Sequence, residues 1–209
     1  MNLTAWLQLL GAYLIGSIPF GLFVGRIFYR SDIRQEGSGN IGAANALRSY
    51  GKLGGALVLF LDVAKGYVAT FFTLPYGPAP AEVAGFCAVL GHCYSPFLNF
   101  KGGKGVATWL GVLVALQPFA ALAFVVTWLA VVVPTRFASL GSLTAMLVSS
   151  GVLWWLTRDS SLAAGPVALA ATALIFWKHR ENIVRLREGR ENKIGLRRGA
   201  ANDARTLPG

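Results

Sequence analysis

The sequence predicts an all-α integral membrane protein: a bundle of seven transmembrane helices, N-terminus outside and C-terminus cytoplasmic. Three observations predict it. The 209 residues are 55% hydrophobic and only 13% charged, far from the balance of a soluble domain. The apolar residues fall in runs suited to a hydrocarbon core ~30 Å thick. The net charge of +10 sits mostly between and after those runs, where membrane topology explains it more simply than nucleic acid does. No nucleic-acid partner is therefore expected.

One polytopic domain is expected over residues 1–198, with a mobile end at 199–209. Met1 opens directly into an apolar segment without a basic leader, so a cleaved signal is not expected. Cys87 and Cys93 have no metal-ligand spacing and are expected to be free.

Span 1 covers about Leu3–Phe28. It contains Gly16-Ser17-Ile18-Pro19-Phe20-Gly21, where a kink is expected. Span 2 covers about Leu53–Leu74, and Pro75, Pro78 and Pro80 make a nearly uncharged loop after it. Span 3 covers about Ala81–Cys93. Val106–Val133 is 28 residues, about 42 Å as one helix at ~1.5 Å per residue, too short for two full straight spans. Two short spans, 4 and 5, hinged at Gln117-Pro118 are expected, because the charge topology needs the reversal; one kinked helix is the other reading. After a polar break at Pro134–Ser142, span 6 covers about Leu143–Leu156 and span 7 about Leu162–Trp177. The tail from Lys178 is strongly basic.

With the tail cytoplasmic, the loops after spans 1, 3 and 5 are cytoplasmic too. They hold Arg26, Arg30, Arg34, Arg48 and Lys52, then Lys101 and Lys104, then Arg136. The external loops hold only Arg158 among Lys and Arg. This distribution favours seven spans over six. Inside span 2, Asp62 and Lys65 are three residues apart and share a helix face. They read either as a functional intramembrane pair or as a structural one.

Three polar stretches could carry chemistry. In Gly37-Ser38-Gly39-Asn40-Ile41-Gly42-Ala43-Ala44-Asn45-Ala46-Leu47-Arg48, glycines let backbone N–H groups converge on an anion. Ser38, Asn40 and Asn45 add neutral donors, and Arg48 adds a fork suited to phosphate. A plain turn between helices has the same composition. Lys101-Gly102-Gly103-Lys104-Gly105 resembles a phosphate-binding turn, or equally a basic turn at the membrane surface. It is not a Walker loop, because no Ser or Thr follows Lys104. In the third stretch, His179 and Asn182 share a face if span 7 continues as a helix. His179 could then be a base or a phosphate ligand. His92 reads as structural.

Taken together, the segments resemble the bacterial acyl-phosphate-dependent glycerol-3-phosphate acyltransferases, the PlsY family. The resemblance rests on Gly16–Gly21, on Asp32-Ile33-Arg34 through Gly37–Asn45 to Arg48, on Gly91-His92 with Phe100–Thr108, and on Lys178–Ile183 with Arg185, Leu186, Gly189, Glu191 and Lys193-Ile194. It implies a multi-pass enzyme of the bacterial cytoplasmic (inner) membrane, its active site facing the cytoplasm. It implies transfer of a fatty acyl group from acyl phosphate to glycerol 3-phosphate, the first step of phospholipid synthesis, with membrane lipid as surroundings and no metal or organic cofactor. A functional link to the enzyme that makes acyl phosphate is also implied. By motif position, Ser38, His179 and Asn182 are the catalytic candidates. Arg48, Lys104, Ser142, Gly39, Asn40, Gly42, Asn45, Gly102 and Gly103 are the substrate-binding ones. Ala44 departs from the family's usual Thr. A transporter or channel for a phosphorylated metabolite would also explain the basic loops and the Asp62–Lys65 pair, but not the gathering of polar motifs on one face.

Overall fold

Pro19 has no backbone N–H to give, and the first apolar run breaks there into α1 (Leu3–Ser17) and α2 (Phe20–Phe28). The structure is a computed structural model that describes residues 3–194; the end expected at 199–209 lies outside the described residues. Seven further helices follow: α3 (Ala43–Phe71), α4 (Pro78–Cys93), α5 (Val106–Leu116), α6 (Pro118–Thr135), α7 (Ala138–Thr157), α8 (Ala164–Lys178) and α9 (Arg180–Arg187). Four stretches, Leu3–Phe28, Ala43–Tyr76, Pro118–Thr135 and Ala138–Thr157, are long and apolar enough to cross a membrane; α5 and α8 are apolar but shorter.

The element limits differ from the sequence expectations in four places. Helix α3 starts at Ala43, ten residues before the expected span, so Asn45 and Arg48 are helical rather than part of a loop. The limit is obscured because Gly51 (φ 78, ψ −169) interrupts the helix and sets Ala43–Tyr50 apart as a separate arm. Pro78 and Pro80 open α4 instead of ending a loop, since a first helical turn tolerates proline. Helix α7 starts at Ala138, so Ser139 and Ser142 are helical and the polar break shrinks to Arg136 and Phe137. Helix α8 stops at Lys178, and His179 takes a non-helical turn before α9.

Gln117 is extended (φ −156, ψ 93) and separates α5 from α6. The start of α5 and the second half of α6 border one cavity, Val106 and Ala107 from the first and Trp128 and Leu129 from the second. Lys104, just before α5, donates to Asn182, and Trp128 near the end of α6 donates to Ser142 of α7. The chain therefore leaves that cavity along α5 and returns to it along α6.

The helices approach closely through small residues, as association without a hydrophobic driving force requires. A Cβ on Gly66 of α3 would strike the Thr108 carbonyl of α5, and one on Gly111 of α5 would strike the Val63 carbonyl of α3. The largest apolar cluster packs Trp109 and Leu113 of α5 against Phe124 of α6, Met146 and Leu153 of α7, and Ile175 of α8. Large apolar side chains such as Leu7, Phe60, Phe119, Leu122, Val133 and Leu169 point outward, the surface that a hydrocarbon solvent calls for. Gly111→Ala should lower stability by roughly 1–3 kcal/mol through overpacking. A thermal unfolding midpoint in detergent equal to that of the unaltered protein would refute the α3–α5 contact argument.

Candidate active site

The site is assembled from one helix N-terminus, one turn and one helix junction. Asn45, in the first turn of α3, is 1% exposed and organises the loop before it. Its Oδ1 accepts the Ser38 N–H at 2.8 Å; its Nδ2 lies 3.2 Å from the Ile33 carbonyl oxygen and 2.9 Å from those of Glu36 and Asn40. Asn40 Oδ1 accepts the Gly42 N–H at 2.9 Å. The polar atoms of Asn45 thus hold the loop's shape, and the residue also borders the cavity that the loop faces. Ser38, Asn40, Gly42, Ala43, Ala44 and Arg48 border a cavity of about 330 Å³. At the first helical positions, the N–H groups of Ala43 and Ala44 have no intrahelical acceptor, and they carry the positive end of the α3 dipole. Helix starts of this kind suit anions, and this one faces the cavity. Ala44 needs only its backbone for that role.

Lys104, Ser142, His179 and Asn182 border the same cavity. Gly39 does not: its N–H is spent on the Glu36 carbonyl at 2.8 Å. Gly102 and Gly103 also stand back from it. Their N–H groups donate to the Cys93 and His92 carbonyls at 3.2 and 3.0 Å. The turn therefore presents the Lys104 ammonium, and the expectation that its glycine N–H groups cradle an anion is corrected.

A chain of polar contacts fixes that ammonium. Lys104 donates to Asn182 Oδ1. Asn182 Nδ2 donates to Glu191 Oε1 at 2.6 Å, Ser139 Oγ donates to the same oxygen at 2.9 Å, and Arg185 Nε meets Glu191 Oε2 at 2.8 Å. The segment that carries Glu191 is pinned further on, where Ile194 N–H donates to the Arg136 carbonyl at 2.8 Å and Arg136 Nε donates to the Ile194 carbonyl at 3.1 Å. Burial raises the Glu191 carboxyl, but the hydrogen bonds from Asn182, Arg185 and Ser139 outweigh it and hold the pKa below its ordinary value. Burial pushes the Lys104 ammonium down to about 8. Glu191 was in the sequence motif without a role; as an acid among many bases, it was the signal available.

His179 Nδ1 lies 2.7 Å from the Ile175 carbonyl oxygen. A carbonyl only accepts, so Nδ1 carries the proton and Nε2 keeps its lone pair. Burial first, and then the Lys104 ammonium, push this imidazole down to about 4, against the opposing pull of the Ile175 carbonyl. Such a group accepts a hydrogen bond well and a proton poorly near neutrality. Ser142 Oγ donates to the Ala138 carbonyl at 2.8 Å and accepts from Trp128 Nε1 at 3.3 Å. Arg48 reaches Ser38 Oγ only at 3.5 Å. Among the described residues, no three His, Cys, Asp or Glu side chains gather as a metal site.

Away from these groups, and apart from Asp62 and His92, the cavity is lined mainly by hydrocarbon: Leu59, Leu110, Phe124, Val125 and Leu129. A second, open basin of about 1390 Å³ shares Ser38, Arg48 and Glu191 with it and adds Lys52, Arg190 and Lys193. A cationic basin and an apolar cavity thus meet at Ser38 and Arg48. Fold and site together define a membrane protein in which a cationic basin opens onto an apolar cavity.

Comparison with known proteins names the family. The glycerol-3-phosphate acyltransferase family pattern matches residues 6–189. The glycerol-3-phosphate acyltransferase of Rhodopseudomonas palustris (strain BisB5) is 46% identical over 184 residues, 88% of this chain and 92% of that protein. That of Bradyrhizobium diazoefficiens is 44% identical over 198 residues, covering 93% and 98%. The crystal structure of PlsY, an integral membrane glycerol 3-phosphate acyltransferase, in its glycerol 3-phosphate form superposes with a TM-score of 0.86 at 39% identity, covering 92% of this chain and 96% of that one. Its lysophosphatidic acid form gives a TM-score of 0.83 at 38% identity. The chain belongs to the bacterial PlsY family of glycerol-3-phosphate acyltransferases.

Glu191→Gln removes the charge that Arg185 and Asn182 share, at a cost of about 1.5–3 kcal/mol for the charged hydrogen bonds. A drop in activity exceeding any loss of thermal stability is expected. An enzyme with unaltered kcat and KM would show that Glu191 does not organise the site.

Proposed function

We propose that this chain transfers a fatty acyl group from acyl phosphate to glycerol 3-phosphate, giving 1-acyl-sn-glycerol 3-phosphate (lysophosphatidic acid) and phosphate. One observation carries the reading: in a chain of this family, the motifs around Ser38, Lys104 and His179 converge where a cationic basin meets an apolar cavity. The acyl chain lies along Leu110, Phe124 and Leu129, and its phosphate sits on the N–H groups of Ala43 and Ala44, with Arg48 shared between the substrates. Glycerol 3-phosphate enters from the basin, and Lys104 holds its phosphate.

The acceptor hydroxyl oxygen attacks the carbonyl carbon. The bond from that carbon to the phosphate oxygen breaks, and phosphate leaves with the electron pair. The hydroxyl proton passes to a phosphate oxygen, which grows more basic as the anhydride opens and inorganic phosphate forms. His179, held at about 4, is too weak a base to take that proton, and its Nε2 accepts a hydrogen bond from the other hydroxyl of glycerol 3-phosphate, which orients the acceptor. Ser38, Ser142 and Asn182 orient the phosphates and the reacting carbonyl. Positioning and electrostatics supply most of the acceleration. Ser38 has no adjacent base to make it a nucleophile; Arg48 is its side-chain neighbour. The transfer is therefore direct, without an acyl-enzyme.

The same reading gives the chain seven crossings, the N-terminus outside, and a site facing the cytoplasm of the bacterial inner membrane. Lys52, Arg190 and Lys193 around the basin support this orientation. The enzyme that makes acyl phosphate would then supply the donor from that side.

Purified protein in detergent, given acyl phosphate and glycerol 3-phosphate, should release lysophosphatidic acid and phosphate in equal amounts, with no labelled acyl group left on Ser38. Product from acyl-CoA or acyl carrier protein but none from acyl phosphate would overturn the donor assignment. Flux of glycerol 3-phosphate in proteoliposomes without any product would favour a transporter.

The Lys104 ammonium is charged below about pH 8 and neutral above it. kcat/KM for glycerol 3-phosphate should therefore fall as pH rises through about 8. Lys104→Arg, with a guanidinium that stays charged, should lose that limb at a lower overall activity. A limb that persists in Lys104→Arg would assign it to another group.

A further inference from the structure

Asp62 and Lys65 of α3 and His92 of α4 are 1%, 4% and 3% exposed, and the reaction as described uses none of them. Lys65 Nζ lies 2.8 Å from Asp62 Oδ1 and donates to the Ile18 carbonyl at 3.0 Å, beside the break at Pro19. His92 Nδ1 lies 3.6 Å from the same Asp62 oxygen, an electrostatic contact too long for a hydrogen bond. Ionisable groups held in hydrocarbon are costly, and they persist where they serve a site.

What His92 touches is the turn that carries Lys104. Its carbonyl accepts the Gly103 N–H at 3.0 Å, and the neighbouring Cys93 carbonyl accepts the Gly102 N–H at 3.2 Å. A Cβ built on Gly103 would collide first with Nε2 and then with Cε1 and Cδ2 of the His92 ring, and one on Gly102 would strike the His92 carbonyl. Ring and backbone of His92 form the floor on which both glycines rest. The turn needs one: Asn99 and Phe100 before it are both left-handed, at φ 50 and 60, a conformation that a bulky side chain holds only when its surroundings impose it. Asp62 and His92 border the same cavity as Lys104.

We propose that His92, its ring held by the buried Asp62–Lys65 pair, is a positioning residue that fixes the Lys101–Gly105 turn and, through it, the ammonium of Lys104. The inference rests on the acyltransfer reading above and assigns His92 no contact with substrate.

The test compares the unaltered enzyme with His92→Ala, His92→Gln, Gly103→Ala and the double variant His92→Ala/Gly103→Ala, each in detergent, with thermal unfolding followed in parallel. His92→Ala should raise KM for glycerol 3-phosphate roughly tenfold while kcat changes less than about threefold, the split expected when binding alone is disturbed. His92→Gln, which keeps a polar group near the Nε2 position, should recover most of the loss. Gly103→Ala should raise KM similarly. The double variant should be no worse than either single one, because removing the ring makes room for the new methyl; contacting residues are non-additive in this way. An unchanged KM in His92→Ala, or single effects that multiply in the double variant, would overturn the proposal. If His92→Ala does not fold, an unchanged KM in both His92→Gln and Gly103→Ala overturns it equally. An unaltered enzyme that makes no lysophosphatidic acid counts against the acyltransfer reading instead, and calorimetric binding of glycerol 3-phosphate then replaces KM in the same comparison.

Discussion

Lys104 and Arg185 would simply repel each other if nothing anionic lay near them. Glu191 supplies that anion, and the arrangement of the site follows from it. Its two oxygens take Asn182, Ser139 and Arg185, so one carboxylate ties α7, α9 and the segment after α9 together and, through Asn182, reaches the turn before α5. Three regions distant in sequence, the turn before α5, α7 and the stretch from α9 to Glu191, share a single charge centre. With so many hydrogen bonds satisfied at once, the removal of any one partner leaves the others exposed to the cost of an unpaired group. The cationic character that suits an anionic substrate is thereby made compatible with a folded protein.

Much of this was legible in the chain. Apolar runs gave the helices, Pro19 and Gln117-Pro118 gave the breaks, three ordered motifs gave Ser38, Arg48, Lys104, His179 and Asn182, and the family resemblance added Ser142; all six border one cavity. What was not legible shares a cause: composition reports which groups are polar, not where their hydrogen bonds go. Gly102 and Gly103 read as free donors, yet α4 carbonyls consume both N–H groups. Asn45 read as a ligand; that its amide also bonds its own loop was not legible. Ala43–Arg48 read as loop because Gly, Ser and Asn precede it and Gly51 follows it, although Ala43-Ala44 is good helix-forming sequence. Glu191 drew no role because its partners are brought to it only by folding.

The site also reconciles two solvents. Leu110, Phe124 and Leu129 offer a hydrocarbon chain much the same environment as lipid does, while Lys52, Arg190 and Lys193 offer an anion something close to a concentrated salt solution. Ser38 and Arg48 stand on the boundary between the cavities. Few polar contacts are needed there, because each substrate already prefers its own side.

The arm set off by Gly51 has a mechanical meaning. Bilayers vary in thickness, and long membrane helices respond by tilting. The arm from Ala43 to Tyr50 is about 12 Å long at ~1.5 Å per residue. Rigidly joined to Lys52–Phe71, it would swing its tip by about 2 Å for each 10° of tilt, as the same arm length implies. Leu47 of the arm packs back against Gly55, where an added Cβ would meet its Cβ and Cα, so a lean of the membrane portion carries the arm with it. Any such lean therefore reaches Ser38 and Arg48, at the border of the cavity.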